Sequence, residues 1–159
     1  MGRATNSAVQ ATASKPKPAP STKYEGDMAF HCFIRPADFA HTRAVVVTGV
    51  PGNFCGHALL HVGPGWYIHT VGFYDVPRFM NESGYMRYLR ENGKREMRRW
   101  IVTIPDPVGA HQKLVELLSK DWLWLALPNN CVNFVEEVVK AGGSDAGMYF
   151  NCPSIEPFA

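Results

Sequence analysis

The chain has no apolar run long enough to cross a bilayer. Trp122-Leu123-Trp124-Leu125-Ala126-Leu127 is apolar, but a spanning helix needs about twenty such residues, so these six are expected to pack in a core or wall a cleft. No Cys-x-x-Cys occurs, which removes the commonest structural zinc pattern. There is no internal repeat. Met1–Lys23 has neither an acid nor an aromatic, and it lacks the apolar segment of a usual secretory signal. Its Lys, Pro, Ala, Ser and Thr predict a disordered tail or linker. Asn6 stands where a myristoylation signal needs Ser or Thr. The expectation is a protein made in the cytoplasm, any export using a non-Sec route.

The folded part also lacks a basic excess. The net charge of +2 includes Arg3, Lys15, Lys17 and Lys23 of the tail, leaving twelve basic against fourteen acidic residues beyond it. A nucleic-acid binder is usually basic across its folded part, so no nucleic-acid partner is expected. The local exception is Arg87, Arg90, Lys94, Arg95, Arg98 and Arg99, set against Glu91 and Glu96. That run reads as a solvated charged face, with an anionic polymer or lipid headgroup as its functional alternative.

What remains is one domain, residues 24–159, of mixed α and β elements. With 46% hydrophobic residues, a single sizeable core can form. Ala44–Val50 and Trp100–Ile104 are β-branched, apolar runs that predict strands. Tyr85–Trp100 predicts a helix broken near Asn92-Gly93, and Gly109–Leu118 an amphipathic one. Gly147–Ala159 reads as an irregular tail.

The most informative stretch is Pro128-Asn129-Asn130-Cys131 with the residues up to Gly143. Pro128 and the asparagines disfavour helix before Cys131, and either asparagine can cap the first free N–H groups. Cys131, Val135, Val138 and Val139 then follow the i, i+4, i+7, i+8 rhythm of a buried stripe. Gly142-Gly143 supplies the stop. A thiol in the first turn of this helix feels the positive end of the dipole, which favours the nucleophilic thiolate. The alternative is an inert, buried cysteine.

A nucleophilic thiol needs a base. Phe54–Thr70 reads as two strands joined at Gly63-Pro64-Gly65. Side chains alternate along a strand, so His57 and His61 share a face, separated by roughly 13 Å. Folding about Pro64 sets His57 opposite Val71, with His69 as its diagonal neighbour roughly 7–8 Å away at Cα. His69 is therefore the candidate to orient His57, while His61 is assigned a structural role. His31, His41 and His111 have no motif around them and are expected to be solvated.

His57, a second histidine twelve residues later at His69, and Asn129-Asn130-Cys131-Val132-Asn133-Phe134-Val135 together resemble the circularly permuted NlpC/P60 superfamily. The lecithin:retinol acyltransferase-like branch is nearest. The resemblance spans Phe54 to Gly143. It implies an α+β, papain-like permuted fold in which an antiparallel sheet packs against the catalytic helix. It also implies a triad of Cys131 as nucleophile, His57 as base and His69 as orienting member. Val132 and Asn133 differ from the acidic and histidine residues usual in the lipid-acting members.

Such a triad performs acyl transfer through a thioester, and the Cys131 backbone N–H is a candidate oxyanion donor. The leading expectation is an amidase or endopeptidase acting on bacterial cell-wall peptides, suited to a delivered antibacterial effector with an immunity or delivery protein as partner. The alternatives are a lipid acyl hydrolase or acyltransferase, and a binding module that uses the same cleft without chemistry. No cofactor or metal is expected. Cys55, His57, His61 and His69 cluster in sequence, but on a strand the His57-x-x-x-His61 spacing holds the rings too far apart to share an ion. With Cys131 free, Cys32, Cys55 and Cys152 cannot all pair. Reduced thiols fit best, with a Cys32–Cys152 bridge as the alternative.

Overall fold

A computed structural model describes residues 23–28, 34–49, 56–71, 77–118 and 130–145. The expected tail up to residue 22, the apolar 122–127 segment, the 147–159 tail, His31, Cys32, Cys55 and Cys152 lie outside the described residues. Within them the protein is α+β. The strands are β1 (Asp27–Met28), β2 (Thr42–Val47), β3 (His57–Val62), β4 (Trp66–His69), β5 (Arg78–Met80) and β6 (Glu96–Val102). They form one antiparallel sheet in the order β1-β5-β4-β3-β2-β6. The helices are α1 (Glu82–Glu91), α2 (Pro107–Leu118) and α3 (Asn130–Ala141), and a 3-10 helix spans Pro36–His41.

The two faces of the sheet follow from strand alternation. Ala44, Ala58, Leu60, Val62, Ile68 and Val102 point to one face, where α2, α3 and Phe39 cover them. Cys131, Val132, Phe134, Val135, Val138 and Val139 are the α3 residues buried there, and they contain the stripe expected from the sequence. Val45, Val47, Leu59, Tyr67 and Met80 point to the other face and pack beneath Tyr85 and Tyr88 of α1. Asn81 caps α1, its side-chain oxygen accepting from the Gly84 N–H at 2.8 Å.

The run Tyr85–Trp100 departs from expectation. Its first half is helical, but after the turn at Asn92-Gly93 the chain enters β6 instead of a second helix. Gly93 has φ +61, a left-handed conformation that reverses the chain cheaply only at glycine. β6 then pairs with β2 from Thr42↔Val102 to Val47↔Glu96, with a shift between Val46 and Val47. Several of the arginines are tied locally. Arg87 bonds Glu91 at 2.7 Å, Arg99 bonds Glu96 at 2.8 Å, and Arg98 lies over the Trp100 ring. His111, expected to be solvated, is only partly so: its ring nitrogen contacts the Ile34 carbonyl at 2.9 Å, edge-on to Phe39.

Candidate active site

β3 and β4 bring the two histidines together. Their recorded pairing runs from Val62↔Trp66 to Leu60↔Ile68, and the same register carried onward sets His57 opposite Val71. The rings of His57 and His69 meet on the α1 face with centroids 5.1 Å apart, and His57 Nε2 lies 2.8 Å from His69 Nδ1. His69 Nε2 lies 2.7 Å from the backbone carbonyl of Glu25. Tyr88 packs its ring edge against His69 at 5.0 Å.

These contacts determine where the protons sit. A carbonyl only accepts, so His69 Nε2–H must donate to Glu25. Neutral His69 then has a lone pair on Nδ1, and His57 Nε2–H donates to it. That leaves the lone pair of neutral His57 on Nδ1, which has no hydrogen-bond partner among the described residues. The Glu25 carbonyl thus selects, through His69, which nitrogen of His57 is basic.

Cys131 arrives from the opposite side. It is the second residue of α3, buried, and a free thiol. Ala58 lies beyond the last recorded β3–β4 pair and donates its N–H to Cys131 Sγ at 3.5 Å. The sulfur therefore sits where β3 and β4 part, against the backbone next to His57. Its hydrogen bond goes to that backbone and, among the described residues, not to the imidazole. Gly56 starts this segment with φ +83, and a Cβ there would come within 2.5 Å of the Val47 carbonyl oxygen. Only glycine lets β3 begin so close to β2 at this point.

Electrostatics set the resting charges. Burial holds His57 well below the ordinary imidazole range, with the neighbouring His69 and Lys94 adding to the effect. Burial likewise brings His69 down to about 4, against a smaller opposing contribution from the Glu25 hydrogen bond. Burial raises the Cys131 thiol, while the N–H groups of Ala58, Val132 and Cys131 itself, and then Lys94, oppose it. The helix N-terminus does favour the thiolate, as its position in the sequence suggests, but desolvation is larger. The resting arrangement at neutral pH is a thiol beside neutral imidazoles.

His61 is at the far end of the same row. It is buried, its ring edge-on to Tyr67 at 4.6 Å and its Nδ1 without a hydrogen-bond partner among the described residues, and it takes no part in the histidine chain. Among the described residues no three His, Cys, Asp or Glu side chains converge as a metal-holding group, and no helix is long and apolar enough to cross a membrane. The Glu25 carbonyl, Tyr88 and Lys94 are neighbours that the sequence did not assign to this site. A backbone acceptor has no residue signature, and Lys94 was submerged in its charged run. Comparison with protein-family models, curated proteins and solved structures found no match to this chain.

Proposed function

We propose that the protein is a cysteine hydrolase with a papain-like, permuted NlpC/P60 architecture, Cys131 being its nucleophile, His57 its base and His69 the orienting residue. The observation that carries the reading is the unbroken chain from the Glu25 carbonyl through His69 to His57, beside a helix-start cysteine bonded to Ala58 N–H. A chain with a defined direction is what a general base requires. In the proposed reaction, His57 Nδ1 takes the thiol proton as Sγ attacks an acyl carbon. The resulting imidazolium keeps its Nε2–H bond to His69. It then protonates the leaving group, and water releases the thioester.

The proposed substrates are amide bonds in bacterial cell-wall peptides, which suits a delivered effector. The test is release of new amines from purified wall fragments by wild type, Cys131→Ser and His57→Ala, with phospholipid vesicles as the competing substrate. Amine release lost in both variants supports the reading. Fatty-acid release lost in both variants transfers it to lipid acyl esters. Wild-type behaviour equal to both variants on both substrates makes the protein a binding module.

A further inference from the structure

Lys94 is a cation fixed beside this site, and among the described residues no carboxylate forms an ion pair with it. It follows Gly93 in the turn after α1, and its backbone N–H bonds the Leu89 carbonyl at 2.8 Å. The next residue, Arg95, is bound to Thr48 in both directions: Thr48 N–H to the Arg95 carbonyl at 2.9 Å, and Arg95 N–H to Thr48 Oγ1 at 3.1 Å. The Lys94 ammonium donates to the Thr48 carbonyl at 2.8 Å. Thr48 directly follows Val47, the strand partner of His57. Three tethers therefore hold the ammonium at the end of β2 where β3 begins with His57 and Ala58, whose N–H binds the sulfur.

Lys94 is also only half-exposed. A partly desolvated ammonium left this way is costly unless a negative charge appears nearby. Two anionic groups act on it through space, Glu25 first and the Cys131 thiolate second. Tyr88, His57, His69 and Glu25 are the remaining titratable groups around the sulfur, on α1, β3, β4 and the segment before β1.

We propose that Lys94 is an electrostatic positioning residue, a tethered cation that stabilises the thiolate formed on Cys131 when His57 takes its proton, with Glu25 as its standing counter-charge. This rests on the cysteine-hydrolase reading. A cation here favours the thiolate and disfavours protonated His57 and His69 together. Its removal must therefore raise the titration midpoints of thiol and imidazoles alike. Burial alone would move them in opposite directions.

The experiment is the pH dependence of Cys131 alkylation by iodoacetamide, read by peptide mapping, alongside NMR titration of the His57 and His69 rings. Wild type, Lys94→Met and Lys94→Arg are compared, with circular dichroism confirming that each is folded. Lys94→Met is expected to slow alkylation at pH 7.5 by about 3- to 10-fold and to move both imidazole titrations upward. Lys94→Arg is expected to restore most of both. A folded Lys94→Met whose thiol and imidazole midpoints stay put, or move apart, overturns the proposal. Should Lys94→Met not fold, Lys94→Gln, which removes the charge but can still donate to the Thr48 carbonyl, serves in its place: unchanged midpoints overturn the proposal, and raised midpoints support it. Alkylation needs no turnover, so failure of the hydrolase reading is seen separately, as wild type inactive on every acyl substrate.

Discussion

The two faces of the sheet are built from the same strands yet are made of different materials. On the α2–α3 face the strands offer Ala44, Ala58, Leu60, Val62 and Ile68, meeting Phe134, Val135, Val138 and Val139 in an apolar layer. On the α1 face the same strands set His57, His61, Tyr67 and His69 among Val45, Val47, Leu59 and Met80, meeting Tyr85 and Tyr88. There Tyr67 stacks on Tyr85 at 3.9 Å, and its hydroxyl contacts Glu82 and Arg99. An apolar layer is stabilised by area removed from water and is indifferent to proton positions. A polar layer is specified by directed hydrogen bonds, each needing a partner of the right kind. The comparison teaches that both faces bury apolar side chains, but among the described residues only the α1 face adds a directed chain of histidine hydrogen bonds. Cys131 is the point where the α2–α3 face reaches the α1 face, through the parting of β3 and β4.

If this division is right, substitutions on the two faces must separate stability from activity. The largest effect is expected from His57→Ala, which should lower acyl transfer by about 10²- to 10⁴-fold while leaving the denaturation midpoint near wild type. Steady-state rates and urea unfolding on the same preparation check this. Phe134→Ala, wholly buried on the apolar face, is expected to cost about 3–5 kcal/mol of stability. The fraction that remains folded should keep its alkylation profile. Acid should weaken the polar face selectively. His69 titrates near 6.5 when unfolded and at about 4 when folded, so the unfolded chain binds the extra proton between those values. Stability is then unaffected above pH 6.5 and falls as pH drops from 6.5 to 4, by roughly 3 kcal/mol from His69 alone. His57 shares the direction. Chemical unfolding at pH 7 and pH 4.5 measures it. The smallest effect is expected from Gly56→Ala at the joint between the faces, about 1–3 kcal/mol from a strained positive φ and a close approach to Val47. It should also slow acyl transfer, because β3 begins there.

Much of this was legible in the sequence, for reasons that differ by element. α3 announces itself through Pro128 and the asparagines, the valine stripe and Gly142-Gly143, all short-range signals. The proximity of His57 and His69 was legible because a short turn fixes hairpin register and alternation fixes the face. Their separation is closed further by the side chains, down to a 2.8 Å contact. The end of β6 at Trp100–Val102 was legible as an apolar strand, but its first part was misread because Arg95, Glu96, Met97, Arg98 and Arg99 favour helix locally. Pairing with β2 along one edge overrides that preference. The Glu25 carbonyl could not be read at all, since any residue supplies one and only the tertiary fold brings it to His69. The balance at Cys131 was only half legible. A helix start can be seen in a sequence, but the burial that outweighs it cannot.

The central claim is that Cys131 accepts an acyl group with His57 as its base. The most direct measurement is the rate of acyl-adduct formation on Cys131 from an activated ester, followed by mass spectrometry with peptide mapping against Cys32, Cys55 and Cys152. Wild type and His57→Ala would be compared across pH. The account predicts an adduct on Cys131 in wild type, with an acid limb well below the ordinary imidazole range, where buried His57 becomes protonated, and a rate about 10²- to 10⁴-fold lower without His57. Equal rates in the two proteins, or an adduct on other cysteines with Cys131 unmodified, would contradict it.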